Sequence, residues 1–246
     1  MMVGAIIWSW QIFGQYLFSS EILHGAWVTI WLTASGIGLG TCIGAVLSVF
    51  GTSEKRLSRV LYQTYTGIVR GIPLLVTLVL VYDGLPEMGL TFGVVQSTLI
   101  ALAINESAYM AEIIRGGILS VPHGQMEAAK ALGMHRTKAM RVIILPQAIR
   151  AAIPAAGNEV NGLLKSTSLV SVISMTELFR VTQDIFAVNF HPLELLTIAS
   201  LYYITMGTAW RGIQSLLERR FGAPTASKSR MKIRRPTAQL VVTESS

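Results

Sequence analysis

Ten polar residues lie within segments that are otherwise strongly apolar, and their side chains could bind a polar solute or an ion. Ionisable groups are energetically costly inside a membrane and usually face the interior of a helix bundle or a water-filled path. We therefore predict a solute pathway from these residues as a group. The alternative is that they pair with one another and tie helices together, each hydrogen bond contributing about 0.6–2 kcal/mol. The residues are Arg70, Asn105, Glu106, Asn158, Glu159, Asn161, Lys165, Ser166, Thr167 and Ser168.

The composition indicates a membrane protein. The 246-residue chain is 52% hydrophobic and 13% charged, and its mean hydropathy is +0.54, whereas soluble domains contain about 25% charged residues. The length suits one bundle of several spans, with no linker that would divide it. The single cysteine, Cys42, excludes a disulfide framework. The four histidines are scattered over both sides, so no metal site is predicted.

Five apolar segments are long enough to cross a bilayer, which requires about 20 residues per helix. Gly36, Gly40 and Gly44 recur at every fourth position of the first segment, a spacing that lets another helix approach closely. Pro73 and Pro154 are expected to distort the second and fourth helices, because proline lacks a backbone donor. The sequence therefore predicts an all-α, polytopic membrane helix bundle. The five segments cover residues 25–50, 61–82, 91–114, 149–172 and 193–213.

The two ends of the chain differ from this transmembrane domain, residues 21–221. Residues 1–20 are aromatic and apolar with Gln11, Gln15 and Ser19 on one helical face, which predicts an interfacial helix. Residues 222–246 are polar and basic, and we predict a disordered tail that serves topology and attraction to lipid headgroups. Nucleic-acid binding is disfavoured despite the net charge of +7, because no aromatic residues interleave with the charges of the tail.

The distribution of basic residues predicts the orientation in the membrane. Lysine and arginine fill the connections after the first and third spans and the C-terminal tail, whereas the opposite loops carry Asp83 and Glu87. Under the positive-inside rule the basic side is cytoplasmic. We therefore predict that the N-terminus lies outside, that the C-terminus lies in the cytoplasm, and that the polar segment 121–146 is cytoplasmic.

Segment 121–146 is predicted to form a short helix–turn–helix. Pro122 breaks the chain and starts a helix, and Gly133 is well placed to end it, because glycine adopts the left-handed cap conformation without a steric penalty. A second helix leads back into the membrane. The alanine-rich face suits a groove on another protein, although Glu127 could instead stabilise its own helix through the macrodipole. The residues assigned to docking are Glu127, Ala128, Ala129, Gly133, Ile143, Leu145 and Pro146.

These residues are similar to a known motif. The segment resembles the cytoplasmic coupling motif of permease subunits in bacterial ATP-binding-cassette (ABC) importers. That motif reads Glu-Ala-Ala, three residues, Gly, nine residues, Ile, any residue, Leu-Pro. Residues 70–75, 108–117, 157–159 and 163–169 resemble the polar amino-acid uptake branch of that family, which includes histidine, glutamine, arginine and opine permeases. The chain departs from the family at Ile72, where threonine is frequent, and at Ser166, where aspartate is frequent. The second departure removes an acidic neighbour of Lys165.

The resemblance implies a type I importer permease fold in the bacterial cytoplasmic (inner) membrane. It implies three kinds of protein partner: ABC ATPase subunits, a second permease subunit and an extracytoplasmic amino-acid-binding protein. The chain itself would bind no cofactor and would not be an enzyme, because ATP and Mg²⁺ are used by the ATPase subunit. A zwitterionic amino acid would be held by Lys165 or Arg70 at its carboxylate and by Glu159 or Glu106 at its ammonium group.

Two other functions remain open from the residues alone. One is a secondary carrier driven by an ion gradient, with Glu106 and Glu159 as proton or sodium sites. The other is a regulatory membrane subunit that transports nothing. Neither needs a docking helix with the spacing of segment 121–146, which therefore favours the importer. The identity of the amino acid, and whether the second permease is an identical or a sibling chain, do not follow from the sequence.

Overall fold

The structure is a computed structural model that describes residues 8–221, and every regular element in that range is a helix. The predicted all-α fold is confirmed. Tighter or wider helical turns extend the helices at Leu80–Gly84, Leu85–Met88, Met140–Ile144 and Thr167–Ile173. The α-helices are α1 Trp10–Leu17, α2 Ser20–Gly51, α3 Arg56–Gly71, α4 Leu74–Val79, α5 Val94–Ser120, α6 His123–Ala131, α7 Arg136–Ala139, α8 Leu145–Ser166, α9 Leu178–Asn189 and α10 Pro192–Phe221.

Two helical stretches are long and apolar enough to cross a membrane, Ser20–Gly51 and Arg136–Ile173. A third span is formed if Arg56–Gly71 and Leu74–Met88, which meet at 96°, are one broken crossing. Helices α5 and α10 contain 27 and 30 residues, enough for a hydrocarbon core of about 30 Å, but both carry charged residues. The predicted count of five spans and the orientation of the termini stay predictions.

The break between α3 and α4 occurs where the sequence predicts a distortion. Ile72 is extended, with φ −94° and ψ 126°, because a proline at the next position disfavours the helical conformation. Pro73 then opens α4. Pro154 behaves differently, since it lies inside α8 and the helix continues through it. Of the two prolines where the sequence predicts a distortion, only Pro73 therefore stands at a break between helices.

Helices α2 and α5 form the centre of the bundle and approach closely through the predicted glycines. A Cβ atom on Gly44 would lie 2.7 Å from the Ala111 nitrogen and 2.9 Å from the Ser107 carbonyl oxygen. One on Gly40 would collide with the backbone and Cβ of Glu106. The predicted role of these glycines in helix packing is confirmed, because backbone atoms of α5 occupy the space that side chains would need.

The N-terminal helix and α9 complete one end of the bundle. Ser9 caps α1 by accepting from the Ile12 N–H at 3.3 Å, and Phe13 and Leu17 pack with α9 and α10. Residues 1–7 of the predicted interfacial segment and the predicted tail, residues 222–246, lie outside the described residues. Helix α9 was not predicted, because its 12 residues are too short and too polar to be recognised as a span. The predicted domain boundaries at residues 20 and 221 stay predictions.

Candidate functional site

A cavity of 320 Å³ lies where the break between α3 and α4 meets α5 and α8. The extended backbone at Ile72 forms part of its wall, in keeping with the rule that non-helical backbone at membrane depth is tolerated where it lines a cavity. Five of the ten sequence-predicted pathway residues line it, and they come from three separate helices. These five are Arg70, Asn105, Glu106, Glu159 and Ser166.

The cavity is strongly polar on one side. Glu106 is 1% exposed, and its Oε1 atom accepts a hydrogen bond from Asn105 Nδ2 at 3.0 Å. Its Oε2 atom is buried without a hydrogen-bond partner. Among residues 8–221, neither Glu106 nor Glu159 forms an ion pair within 4 Å, in contrast to Glu112, which pairs with a basic residue on its own helix. Neither carboxylate of the cavity is therefore in a direct ion pair with a cation of the described residues.

Arg70 supplies the positive charge of the lining. Its guanidinium carbon lies 5.2 Å from the centroid of the Tyr109 ring, within the range of a cation–π contact. Tyr109 also lines the cavity, and it was not among the predicted pathway residues. The signal was its spacing, since Tyr109 follows Glu106 by three residues and Asn105 by four and so shares their face of α5.

The other five predicted pathway residues do not line this cavity. Helix periodicity explains the difference along α8, where Glu159 and Ser166 share one face and Asn158 and Lys165 share another. Lys165 is exposed and lines a separate crevice with α9 and α10. The contacts of the other four are Asn158 Oδ1 with Gln214 Nε2 at 3.3 Å, Asn161 beside Gly207, Thr167 Oγ1 with the Leu164 oxygen at 2.8 Å, and Ser168 Oγ with the Lys165 oxygen at 2.8 Å.

Glu177 is a buried polar residue that the sequence did not single out. It is fully buried and accepts from the N–H groups of Phe179 at 2.9 Å and Arg180 at 2.8 Å, which caps α9. It also accepts from Tyr203 Oη of α10 at 3.0 Å and from Thr29 Oγ1 of α2 at 3.4 Å. One carboxylate therefore joins three helices, and its role is structural.

Segment 121–146 forms the predicted helix–turn–helix, here called the coupling hairpin. Helix α6 ends at a left-handed Gly133 with φ +74°, as predicted. The Gly133 N–H donates to the Lys130 oxygen at 2.9 Å, and the Met134 N–H donates to the Ala129 oxygen at 3.0 Å. These bonds satisfy carbonyl groups that would otherwise be unpaired at the end of the helix.

The second arm of the hairpin is continuous with a membrane span. The chain is helical without a break from Arg136 to Ile173, although Pro146 cannot donate to a preceding carbonyl. A wide turn at Met140–Ile144 precedes that proline. The second arm of the hairpin and the cavity residue Glu159 therefore belong to one continuous helical stretch.

The docking residues predicted on the hairpin divide into an outer and an inner set. Glu127, Ala128 and Gly133 are exposed, and neighbouring Leu132 is 81% exposed. Ala129 is 1% exposed, so its methyl group faces the hairpin interior. Ile143 packs on the hairpin's own apolar cluster, whereas Leu145 and Pro146 are exposed on the second arm.

Comparisons with known proteins agree with this architecture. The family model described as "Binding-protein-dependent transport system inner membrane component" matches residues 36–223. The arginine transport system permease protein ArgU of Corynebacterium glutamicum is 38% identical over 229 residues, covering 87% of this chain and 72% of that protein. The histidine/lysine/arginine/ornithine permease HisM of Salmonella typhimurium is 33% identical, covering 83% of this chain and 91% of HisM.

A solved structure shows the same fold. A chain of an amino acid ABC transporter crystallised with histidines superposes with a TM-score of 0.80 at 36% identity. The match covers 87% of this chain and all of that one (100%).

Proposed function

The chain belongs to the family of inner membrane components of binding-protein-dependent transport systems and is a permease subunit of an amino-acid ABC importer; from this premise we propose that its substrate binds in the cavity beside Arg70. The observation that carries the proposal is Glu106, a residue that lines the cavity and whose Oε2 atom is buried without a hydrogen-bond partner. A buried polar atom without a partner calls for an explanation, and a ligand donor would provide one.

The charges of the lining favour an amino acid with a net positive charge. Arg70 can pair with the substrate's α-carboxylate, and Glu106 and Glu159 can each accept from an ammonium or guanidinium group. Two carboxylates and one guanidinium carry a formal charge of −1, which complements a cationic substrate. The volume of 320 Å³ lies at the lower end of the range of about 300–1,000 Å³ for small-molecule sites. Relatives named for arginine and for histidine, lysine and ornithine support this class.

Uptake by the assembled importer tests the cavity. Glu106→Gln and Arg70→Ala should each lower the maximal uptake rate of labelled arginine by about tenfold or more, because a hydrogen bond to a charged group contributes about 1.5–3 kcal/mol. Lys165→Ala is the matched control, since this cation lies on the same helix as Glu159 but outside the cavity. Unchanged uptake in both cavity variants, with normal ATPase association, would overturn the assignment.

We propose that the coupling hairpin docks on the ATPase subunit, which uses ATP and Mg²⁺. Glu127, Ala128 and Leu132 form the exposed surface available to that partner. Because residues 136–173 form one unbroken helical stretch, a displacement of the hairpin would tilt α8 and shift Glu159 relative to Arg70. Rigid-body motion of this kind is a common way of alternating access to a central site.

A charge reversal tests the docking proposal. Glu127→Lys should abolish uptake and weaken copurification of the ATPase while leaving the protein in the membrane. Glu87→Lys makes the same change of charge at an exposed position in the opposite loop and should leave ATPase copurification unchanged. Equal copurification of the ATPase with both variants would refute the docking role.

The remaining assignments follow from the family. The protein is an inner-membrane component, and we propose that it is multi-pass, with its hairpin in the cytoplasm. The proposed partners are two ATPase subunits, a second permease and an extracytoplasmic amino-acid-binding protein. The relatives do not support an ion-coupled carrier or a regulatory subunit without transport.

A further inference from the structure

A second crevice, distinct from the substrate cavity, lies between the end of α2 and the second arm of the coupling hairpin. Its volume is 660 Å³, and it is lined by α2, the α2–α3 connection, α5, α7 and α8. The crevice therefore sits at the hairpin end of the bundle, where the candidate span Ser20–Gly51 ends. Its functional role is not explained by substrate binding or by docking of α6.

The crevice has an apolar part and a basic part. Val49, Ile118 and Leu145 contribute apolar side chains, and Val49 is 67% exposed on the surface of the span. Lys55 and Arg141 lie at the same crevice. Both are exposed, and among residues 8–221 neither has an acidic partner within 4 Å, because the ion pairs found there do not include them.

One acidic residue lies at this crevice, and it is already paired. Glu54 forms an ion pair with Arg136 across the crevice. Three basic side chains and one carboxylate therefore carry a formal charge of +2, and the two unpaired cations are free to bind an anion. An occupant must combine negative charge with long apolar groups that can lie along the exposed surface of a span.

We propose that this crevice binds an anionic phospholipid, with its phosphate at Lys55 and Arg141 and its acyl chains along Val49, Ile118 and Leu145. Basic pockets between transmembrane helices at the membrane surface are suited to anionic headgroups. A protein partner would need carboxylates beside an apolar surface to match this crevice, whereas one anionic lipid supplies both the negative charge and the apolar chains. The lipid would bridge the α2–α3 connection and the hairpin arm, which the Glu54–Arg136 pair already joins.

The test measures lipid retained by the assembled importer. The complex is reconstituted in vesicles of equal parts phosphatidylglycerol and phosphatidylcholine, extracted in mild detergent, and analysed by native mass spectrometry. The wild type should retain phosphatidylglycerol preferentially. Lys55→Ala combined with Arg141→Ala should weaken this retention about 25-fold, since each basic side chain near the surface contributes about fivefold. Ala45→Trp, at an exposed position that lines the crevice, should displace the lipid with the cations intact.

Two control variants separate a built site from general surface attraction. Arg59→Ala combined with Arg150→Ala removes the same charge from exposed positions outside the crevice and should retain the lipid as the wild type does. Glu54→Gln removes the acidic residue and should raise retention, a change of sign that loss of folding cannot produce.

Three outcomes would overturn the proposal. They are no preference for phosphatidylglycerol in the wild type, equal loss in the Arg59 and Arg150 variant, and cross-linking of a photoreactive residue at position 45 to a protein subunit rather than to lipid.

Discussion

Gly133→Ala should weaken the interaction with the ATPase through backbone strain alone. Gly133 adopts φ +74°, and a Cβ atom at this position would meet nothing within 4 Å. The new methyl group therefore neither collides with the protein nor fills a gap. What remains is the penalty for an L-residue in the left-handed region, about 1–2 kcal/mol. This free energy favours other turn geometries and lowers the population of the docking conformation about 5–30-fold.

Gly124→Ala is the matched control on the same hairpin. Gly124 lies in the first turn of α6 and also has open space at its Cβ position, so alanine should be neutral or slightly stabilising there. Gly133→Asn should fall between the wild type and Gly133→Ala, because asparagine tolerates the left-handed conformation better than other residues with a side chain.

Binding of the purified ATPase subunit to the permease in detergent measures the effect. The apparent Kd should rise about 5–30-fold for Gly133→Ala, while that of Gly124→Ala should be unchanged or lower. ATP-driven uptake in vesicles should follow the same order. Equal affinity of the Gly133→Ala and wild-type proteins would refute the role of the left-handed turn in presenting the hairpin.

Two further predictions concern the bundle. Gly44→Ala should destabilise the protein by about 1–3 kcal/mol, because the methyl group would overlap backbone atoms of α5 that cannot move aside. Gly38→Ala, which has open space in the same helix, should be neutral or stabilising. Thermal unfolding in detergent compares the two variants, and equal melting temperatures would contradict the packing argument. Glu177→Leu leaves several buried donors unpaired and should lower the free energy of unfolding by about 3 kcal/mol or more. Tyr203→Phe removes only one of these hydrogen bonds and should lower it by about 1 kcal/mol. Hydrogen exchange in the first turn of α9 should rise in Glu177→Leu, and unchanged protection there would exclude the capping role.

The local elements could be predicted from the sequence because their signals are local. Runs of apolar residues gave the approximate positions of the long helices, and Pro73 placed the break that shapes the cavity. Gly133 marked the end of α6, since few other residues adopt its conformation without strain. At Pro154, where a distortion was also predicted, α8 continues without a break.

The membership of the cavity could be predicted only in part. All ten polar residues are unusual in an apolar chain, and that criterion does not reveal which way each one faces. Lys165 and Ser166 are adjacent in sequence, yet they line different cavities. Glu177 was missed for a related reason, since its significance depends on Thr29 and Tyr203, which are distant in sequence.

The sequence by itself determined that this is a membrane protein, the approximate positions of its long helices, the turn that ends α6 and the family motif of the hairpin. Each of these depends on hydropathy or on the conformational preference of neighbouring residues. The tertiary structure decided that Arg70, Glu106 and Glu159 meet in one cavity and that Ala129 faces inward. The physical reason is that a side chain's environment depends on the rotation of its helix against other helices, and that rotation is set by close packing such as the contact of α2 with α5.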